Sequence, residues 1–96
     1  MAGQSAVLPV LEERETTRSG STEWLVIVFD NPVNTWDEVI LILQKATACT
    51  LEEAQMETWE VHHLGKSIVH HSDREECERV ASVIRTIKIQ VEVRQL

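Results

Sequence analysis

The sequence predicts an α+β fold in the order β-α-α-β-α-β, a three-stranded antiparallel sheet with three helices packed on one face, and three observations predict it. A hydroxyl followed three residues later by Glu recurs at Thr35-x-x-Glu38, Thr50-x-x-Glu53 and Ser72-x-x-Glu75, the pattern by which a side chain and a carboxylate satisfy the orphan amides of a helix start. A six-residue apolar run, Trp24-Leu25-Val26-Ile27-Val28-Phe29, precedes the first of these. Near the C-terminus, Ile87, Ile89, Val91 and Val93 alternate with Lys88, Gln90, Glu92 and Arg94, the period of a strand with one buried face.

Residues 1–22 close with Glu12-Glu13-Arg14-Glu15-Thr16-Thr17-Arg18-Ser19-Gly20-Ser21-Thr22, which mixes charge with small polar residues and shows no period. That composition predicts a flexible tail, leaving residues 23–96 as one folded domain. The run from Trp24 to Phe29 is too short for a buried helix and suits the central strand. Trp36, Val39, Ile40, Leu43 and Ala46 recur at three-to-four spacing and give the first helix an apolar face. In the second, Leu51, Ala54, Thr58, Val61 and His62 share one stripe and Met56, Trp59 and His63 another, and Gly65 supplies the stop. Ser67 to His71 is a short strand in which His70 and His71 are expected to be exposed. Cys77, Val80, Ala81 and Ile84 then mark the core face of the third helix, before the final alternating strand.

Bulk properties narrow the function classes. Ninety-six residues, 43% of them hydrophobic, suit a single modest core. Sixteen acidic residues against 9 basic ones give a net charge of -7. Without a Lys/Arg run, nucleic acid is a poor partner and cationic groups are better ones. Cys49 and Cys77 are far apart and lack metal-finger spacing, and the apolar stretch Ala6 to Leu11 is too short to span a bilayer. These features predict a cytoplasmic protein with no membrane segment and no cofactor. No phosphate cradle, nucleophile elbow or Cys paired with a base is present, so catalysis is not expected.

Two features carry chemistry. The stretch Asp30-Asn31-Pro32-Val33-Asn34-Thr35 leaves the first strand and enters the first helix, placing polar side chains beside a positive helix end. On composition alone it reads first as an ordinary turn with capping chemistry. The pairs His62-His63 and His70-His71 admit a metal-binding alternative, but adjacent His residues on a helix diverge by about 100° and on a strand face opposite ways, so each pair offers one ligand to a given centre.

The segments Val26-Ile27-Val28-Phe29-Asp30-Asn31-Pro32-Val33-Asn34-Thr35-Trp36-Asp37-Glu38-Val39, Leu43-Gln44-Lys45, Glu53-Ala54 and Val61-His62-His63-Leu64-Gly65-Lys66 resemble the ClpS family of N-degron adaptors in residues and spacing. The resemblance extends from about Trp24 to Leu96. It implies a non-catalytic adaptor that carries proteins with an N-terminal Leu, Phe, Tyr or Trp to a Clp-type AAA+ unfoldase of the ClpA or ClpC kind. By position it assigns Asp30, Asn31 and His62 to the bound α-amino group and Asn34 to the ligand main chain. It assigns Trp36, Thr58, Val61 and Ile89 to the hydrophobic side-chain pocket, and Arg79, where the family usually has Lys, to the unfoldase contact. The Asn-Asp order of the family is inverted at Asp30-Asn31, and Trp36 and Thr58 stand where two Met residues are usual. These departures imply altered selectivity, and they keep open a ClpS-like interaction domain that has lost its ligand.

Overall fold

The computed structural model describes residues 23–96, and the expected tail, residues 1–22, lies outside the described residues. The elements are β1 (Trp24–Phe29), α1 (Trp36–Thr47), α2 (Leu51–Leu64), β2 (Lys66–Ser72), α3 (Arg74–Ile84), a 3-10 turn (Arg85–Ile87) and β3 (Val91–Gln95). The sheet order is β2-β1-β3 with both pairings antiparallel, so the apolar first strand is central as expected.

Period two decides the sheet's faces. Val26 and Val28 of β1, with Val91 and Val93 of β3, point at the helical layer, while Leu25 and Ile27 pair across to Arg94 and Glu92 on the opposite face. The register of β2 slips between the partners of Val26 and Ile27, which face His70 and Ile68. The extra residue is Val69, which lies in the core cluster at 6% exposure. Leu43 of α1, Val61 of α2, and Val80 and Ile84 of α3 are fully enclosed against these strands. Burying each such side chain is worth about 1.5–3 kcal/mol, and together they fix the positions of the helix ends that build the site.

Both expected capping boxes on α1 and α2 are present. Thr35 and Thr50 accept from the backbone of Glu38 and Glu53, whose carboxylates accept in return from the Thr amides. The third start differs. Ser72 is held as the last residue of β2, paired with Trp24, and Asp73 caps α3 instead by accepting from the Glu76 amide at 2.8 Å.

The last strand is also shorter than its alternation suggests. Lys88 adopts a left-handed φ of 68° and closes the 3-10 turn, its amide donating to the Arg85 carbonyl, so pairing with β1 begins only at Val91. Ile89 therefore sits in the connection rather than on the strand, although it remains buried. β2, in turn, is the longest strand, at seven residues. Among the described residues no helix is long and apolar enough to cross a membrane.

Candidate functional site

The site is made by two backbone elements meeting. After β1, the Asp30 amide donates to the Gly65 carbonyl at 3.0 Å. Gly65 has a φ of 91°, in the left-handed region that costs a side-chain-bearing residue about 1–2 kcal/mol, and there α2 stops and turns into β2. The start of the loop is thereby tied to the end of α2. This places Asp30 Oδ1 2.9 Å from His62 Nδ1.

That contact has a definite chemical sense. An ionised carboxylate accepts only, so His62 Nδ1–H donates to Asp30, and the neutral ring keeps its lone pair on Nε2. Water still reaches both groups: the Asp30 side chain is 38% exposed and that of His62 23%. The remaining carboxylate lone pairs and the imidazole Nε2 together form an acceptor-rich corner suited to a small cation with several N–H donors.

The two loop amides are engaged by hydrogen bonds within the chain. Asn31 Oδ1 accepts from the Val33 and Asn34 amides at 3.1 and 2.9 Å, and its Nδ2 donates to Asn34 Oδ1 at 2.7 Å. Asn34 Nδ2 donates to the Ile87 carbonyl at 2.8 Å and to Glu38 Oε1 at 3.3 Å. Asn31 thus folds the loop on itself, and Asn34 pins it to the 3-10 turn, 53 residues away in sequence. Asn34 retains no free donor, whereas Asn31 keeps one N–H.

Trp36, the first residue of α1, stacks on His62 with ring centroids 5.2 Å apart and planes 19° apart. The residue is 38% exposed. His63 does not simply turn away, as its place on the helix suggested. Its Nδ1–H donates to the Trp59 carbonyl, its ring stacks on Trp59 at 4.6 Å, and its edge meets Trp36 at 6.5 Å.

The other three expected pocket residues are enclosed in the core. Thr58 and Val61 have no exposed surface and Ile89 has 4%. The Thr58 hydroxyl donates to the Ala54 carbonyl at 2.7 Å, which satisfies its polarity within the helix and leaves its methyl as the apolar surface. Val61 and Ile89 are members of the main core cluster, so of the four expected pocket residues Trp36 is the one at the surface.

Arg79 lies elsewhere. It forks onto Glu76, with Nε and Nη2 donating at 2.9 and 2.7 Å, and Nη2 also donates to the Ala46 carbonyl at the end of α1. Trp36 and Ala46 are separated by about 15 Å of helix, so Arg79 does not join the acceptor corner. Glu76, held by Arg79 and also bonded to His70 Nε2 at 3.2 Å, has its carboxyl drawn down to about 2. His70 is accordingly half-buried rather than exposed. The four His residues go separate ways, and among the described residues no three His, Cys, Asp or Glu side chains gather as a metal site.

Two features of α2 were not singled out from the sequence. The Trp59–His63 stack was visible only as a second stripe on α2. Glu57, on α2 between Glu53 and Glu60, carries an Oε1 that is buried without a hydrogen-bond partner. Burial, reinforced by the charges of Glu53 and Glu60, pushes its carboxyl up to about 7.

Known proteins show the family and the fold. Residues 19–92 match the family described as "ATP-dependent Clp protease adaptor protein ClpS". The chain is 34% identical to the ATP-dependent Clp protease adapter protein ClpS of Streptomyces coelicolor over 56 residues, 58% of each chain. It is 36% identical over 64 residues to the human E3 ubiquitin-protein ligase UBR2, covering 67% of this chain and 4% of the ligase. The chain therefore spans less than two thirds of either relative. The structure of Agrobacterium tumefaciens ClpS2 bound to L-phenylalaninamide superposes with a TM-score of 0.72 over 76% of this chain and 95% of that one, at 11% identity, which shows a shared fold. With its residues 19–92 matched, the chain belongs to the ClpS family of Clp protease adaptor proteins.

Proposed function

We propose that this chain is an adaptor that binds the free α-amino group and bulky hydrophobic side chain of an N-terminal residue and delivers the attached protein to a Clp AAA+ unfoldase of the ClpA or ClpC type. The observation that carries this reading is the Asp30–His62 pair at 2.9 Å beside the partly exposed Trp36. An α-ammonium offers three N–H donors. Asp30 supplies charge and accepting oxygens, and His62 supplies a lone pair whose position the Asp30 contact holds. A charge-assisted hydrogen bond is worth about 1.5–3 kcal/mol where water is partly excluded.

The first side chain then enters beneath Trp36 toward Thr58, Val61 and Ile89. For it to reach that depth, the indole swings off His62. Asn31 and Asn34 act chiefly by holding the loop, with the spare N–H of Asn31 available to the ligand. L-Phenylalaninamide, bound by the Agrobacterium ClpS2, combines a free amine with a benzyl side chain, the two features this corner is suited to take. Nothing in the arrangement calls for bond breaking by the adaptor itself. The clamped Arg79 still presents about half of its side chain to water, which is compatible with an unfoldase contact at the far end of α1.

A peptide array varying only the first residue tests the reading. Leu, Phe, Tyr and Trp are expected to bind, with Ile and Val also admitted because Thr58 replaces a longer side chain by a short β-branched one. Binding of none of these would overturn the proposal and favour a ClpS-like interaction domain without its ligand. Strict rejection of Ile and Val alone would overturn the role given to Thr58.

A further inference from the structure

The acceptor corner does not end at His62. The rings continue from His62 through Trp36 and the edge of His63 to Trp59, with successive centroids 5.2, 6.5 and 4.6 Å apart. Trp59 is 48% exposed and Met56, one turn before it, 65%. Together with Trp36 they put two indoles and a thioether at the surface beside the acceptor corner. Glu52, Met56, Trp59 and His63 follow one another at helical spacing, so a carboxylate stands at the far end of this stripe, and Asp37 follows Trp36 in the first turn of α1.

A peptide whose amine sits at Asp30 and His62 has to leave across a surface, and an extended chain advances about 3.3 Å per residue. Its second and third side chains thus fall on the scale of the ring spacings. We propose, resting on the function inferred above, that Trp59 and His63 form a second subsite that takes an Arg at the second or third position of the bound chain. A guanidinium is flat and weakly hydrated, so it can lie on the indole face while its edge points toward carboxylates. A Lys ammonium carries the same charge without a plane to stack, so the site discriminates between two cations that a merely acidic surface treats alike.

The test uses peptides beginning with Phe and carrying Arg, Lys or Ser at positions two and three, measured by fluorescence anisotropy on the full chain and on W59L and W59F. Leu keeps an apolar helix-forming residue at an exposed place, and Phe keeps a ring. The wild type is expected to bind the Arg peptide about 5-fold tighter than the Lys peptide, an effect of the size of one cation–π contact. W59L is expected to erase that difference while binding the Ser peptide as the wild type does, and W59F to retain most of it. Equal affinity for Arg and Lys peptides on the wild type, or an Arg preference unchanged in W59L, would overturn the subsite while leaving amine recognition standing. Failure of all three peptides to bind the wild type would overturn amine recognition itself, and the subsite with it.

Discussion

Replacing Asp30 by Ala is expected to weaken binding of a peptide beginning with Phe by roughly 10- to 100-fold, with little change in melting temperature. The size follows from one charge-assisted hydrogen bond, about 1.5–3 kcal/mol, at about 1.4 kcal/mol per tenfold. The separation from stability follows from exposure: the Asp30 side chain is 38% open to water, so its loss leaves no buried orphan. The backbone bond from Asp30 to Gly65 survives any side-chain change. Two effects combine in the loss, since Asp30 contacts the ammonium and also orients His62 through Nδ1. Asp30→Asn separates them. An Asn carbonyl oxygen can still accept from Nδ1–H, so it preserves the ring's orientation while removing the charge, and an intermediate loss is expected. Fluorescence anisotropy for binding and circular dichroism for melting check both variants. Wild-type affinity in Asp30→Ala would contradict the amine assignment.

Replacing Glu57 by Gln is expected to stabilise the protein above neutral pH and to leave it unchanged in acid. The folded chain holds this carboxyl at about 7 against an ordinary value of 4.5, principally because burial penalises the charge and secondarily because Glu53 and Glu60 repel it. The folded form therefore keeps a proton that the unfolded chain gives up between about 4.5 and 7. Stability falls with rising pH across that window and carries the full penalty above it. The shift corresponds to a few kcal/mol at about 1.36 per unit. The side chain is only partly buried, so solvent screens the interaction and leaves on the order of 1 kcal/mol. For a domain of this size that is about 4–8 °C in melting temperature. Glu76 acts in the opposite sense: its value near 2 makes the fold gain stability as pH rises from about 2 to 4.5. Thermal melts of wild type and Glu57→Gln between about pH 4 and 8 should diverge progressively above pH 5, with the variant the more stable. Parallel curves would mean that Glu57 has found a partner or open water.

Much of the scaffold was legible because local chemistry and tertiary packing agree there. Thr35 with Glu38 and Thr50 with Glu53 form the capping boxes that their spacing announces, and Gly65 is the left-handed stop of α2. The apolar run Trp24 to Phe29 is the central strand. Where the reading slipped, a neighbour outcompeted a local signal. Ser72 has the residue type of a cap but is held in β2 opposite Trp24, and Asp73 supplies the oxygen. Ile87 and Ile89 keep the alternation of β3, yet the left-handed Lys88 delays the strand.

Within the site, the closeness of Asp30 and His62 follows from the resemblance and not from spacing, because 32 residues separate them and only the Asp30–Gly65 backbone bond brings them together. The internal bonding of Asn31 and Asn34 was invisible, since an amide that folds its own loop and one that meets a ligand have the same sequence. The orphaned oxygen of Glu57 was hidden as well. A Glu in a helix usually reaches water, and nothing in one dimension shows that folding buries this oxygen.

The acceptor corner formed by Asp30 and His62 requires a ligand that brings its own charged amine. Isothermal titration with two otherwise identical Phe-initiated peptides, one with a free amino terminus and one N-acetylated, measures this directly. Acetylation removes the positive charge and two of the three N–H donors while leaving the phenyl ring intact, and it is expected to lower affinity by at least about 100-fold, the worth of roughly two charge-assisted hydrogen bonds. Equal affinity for the two peptides would contradict the account.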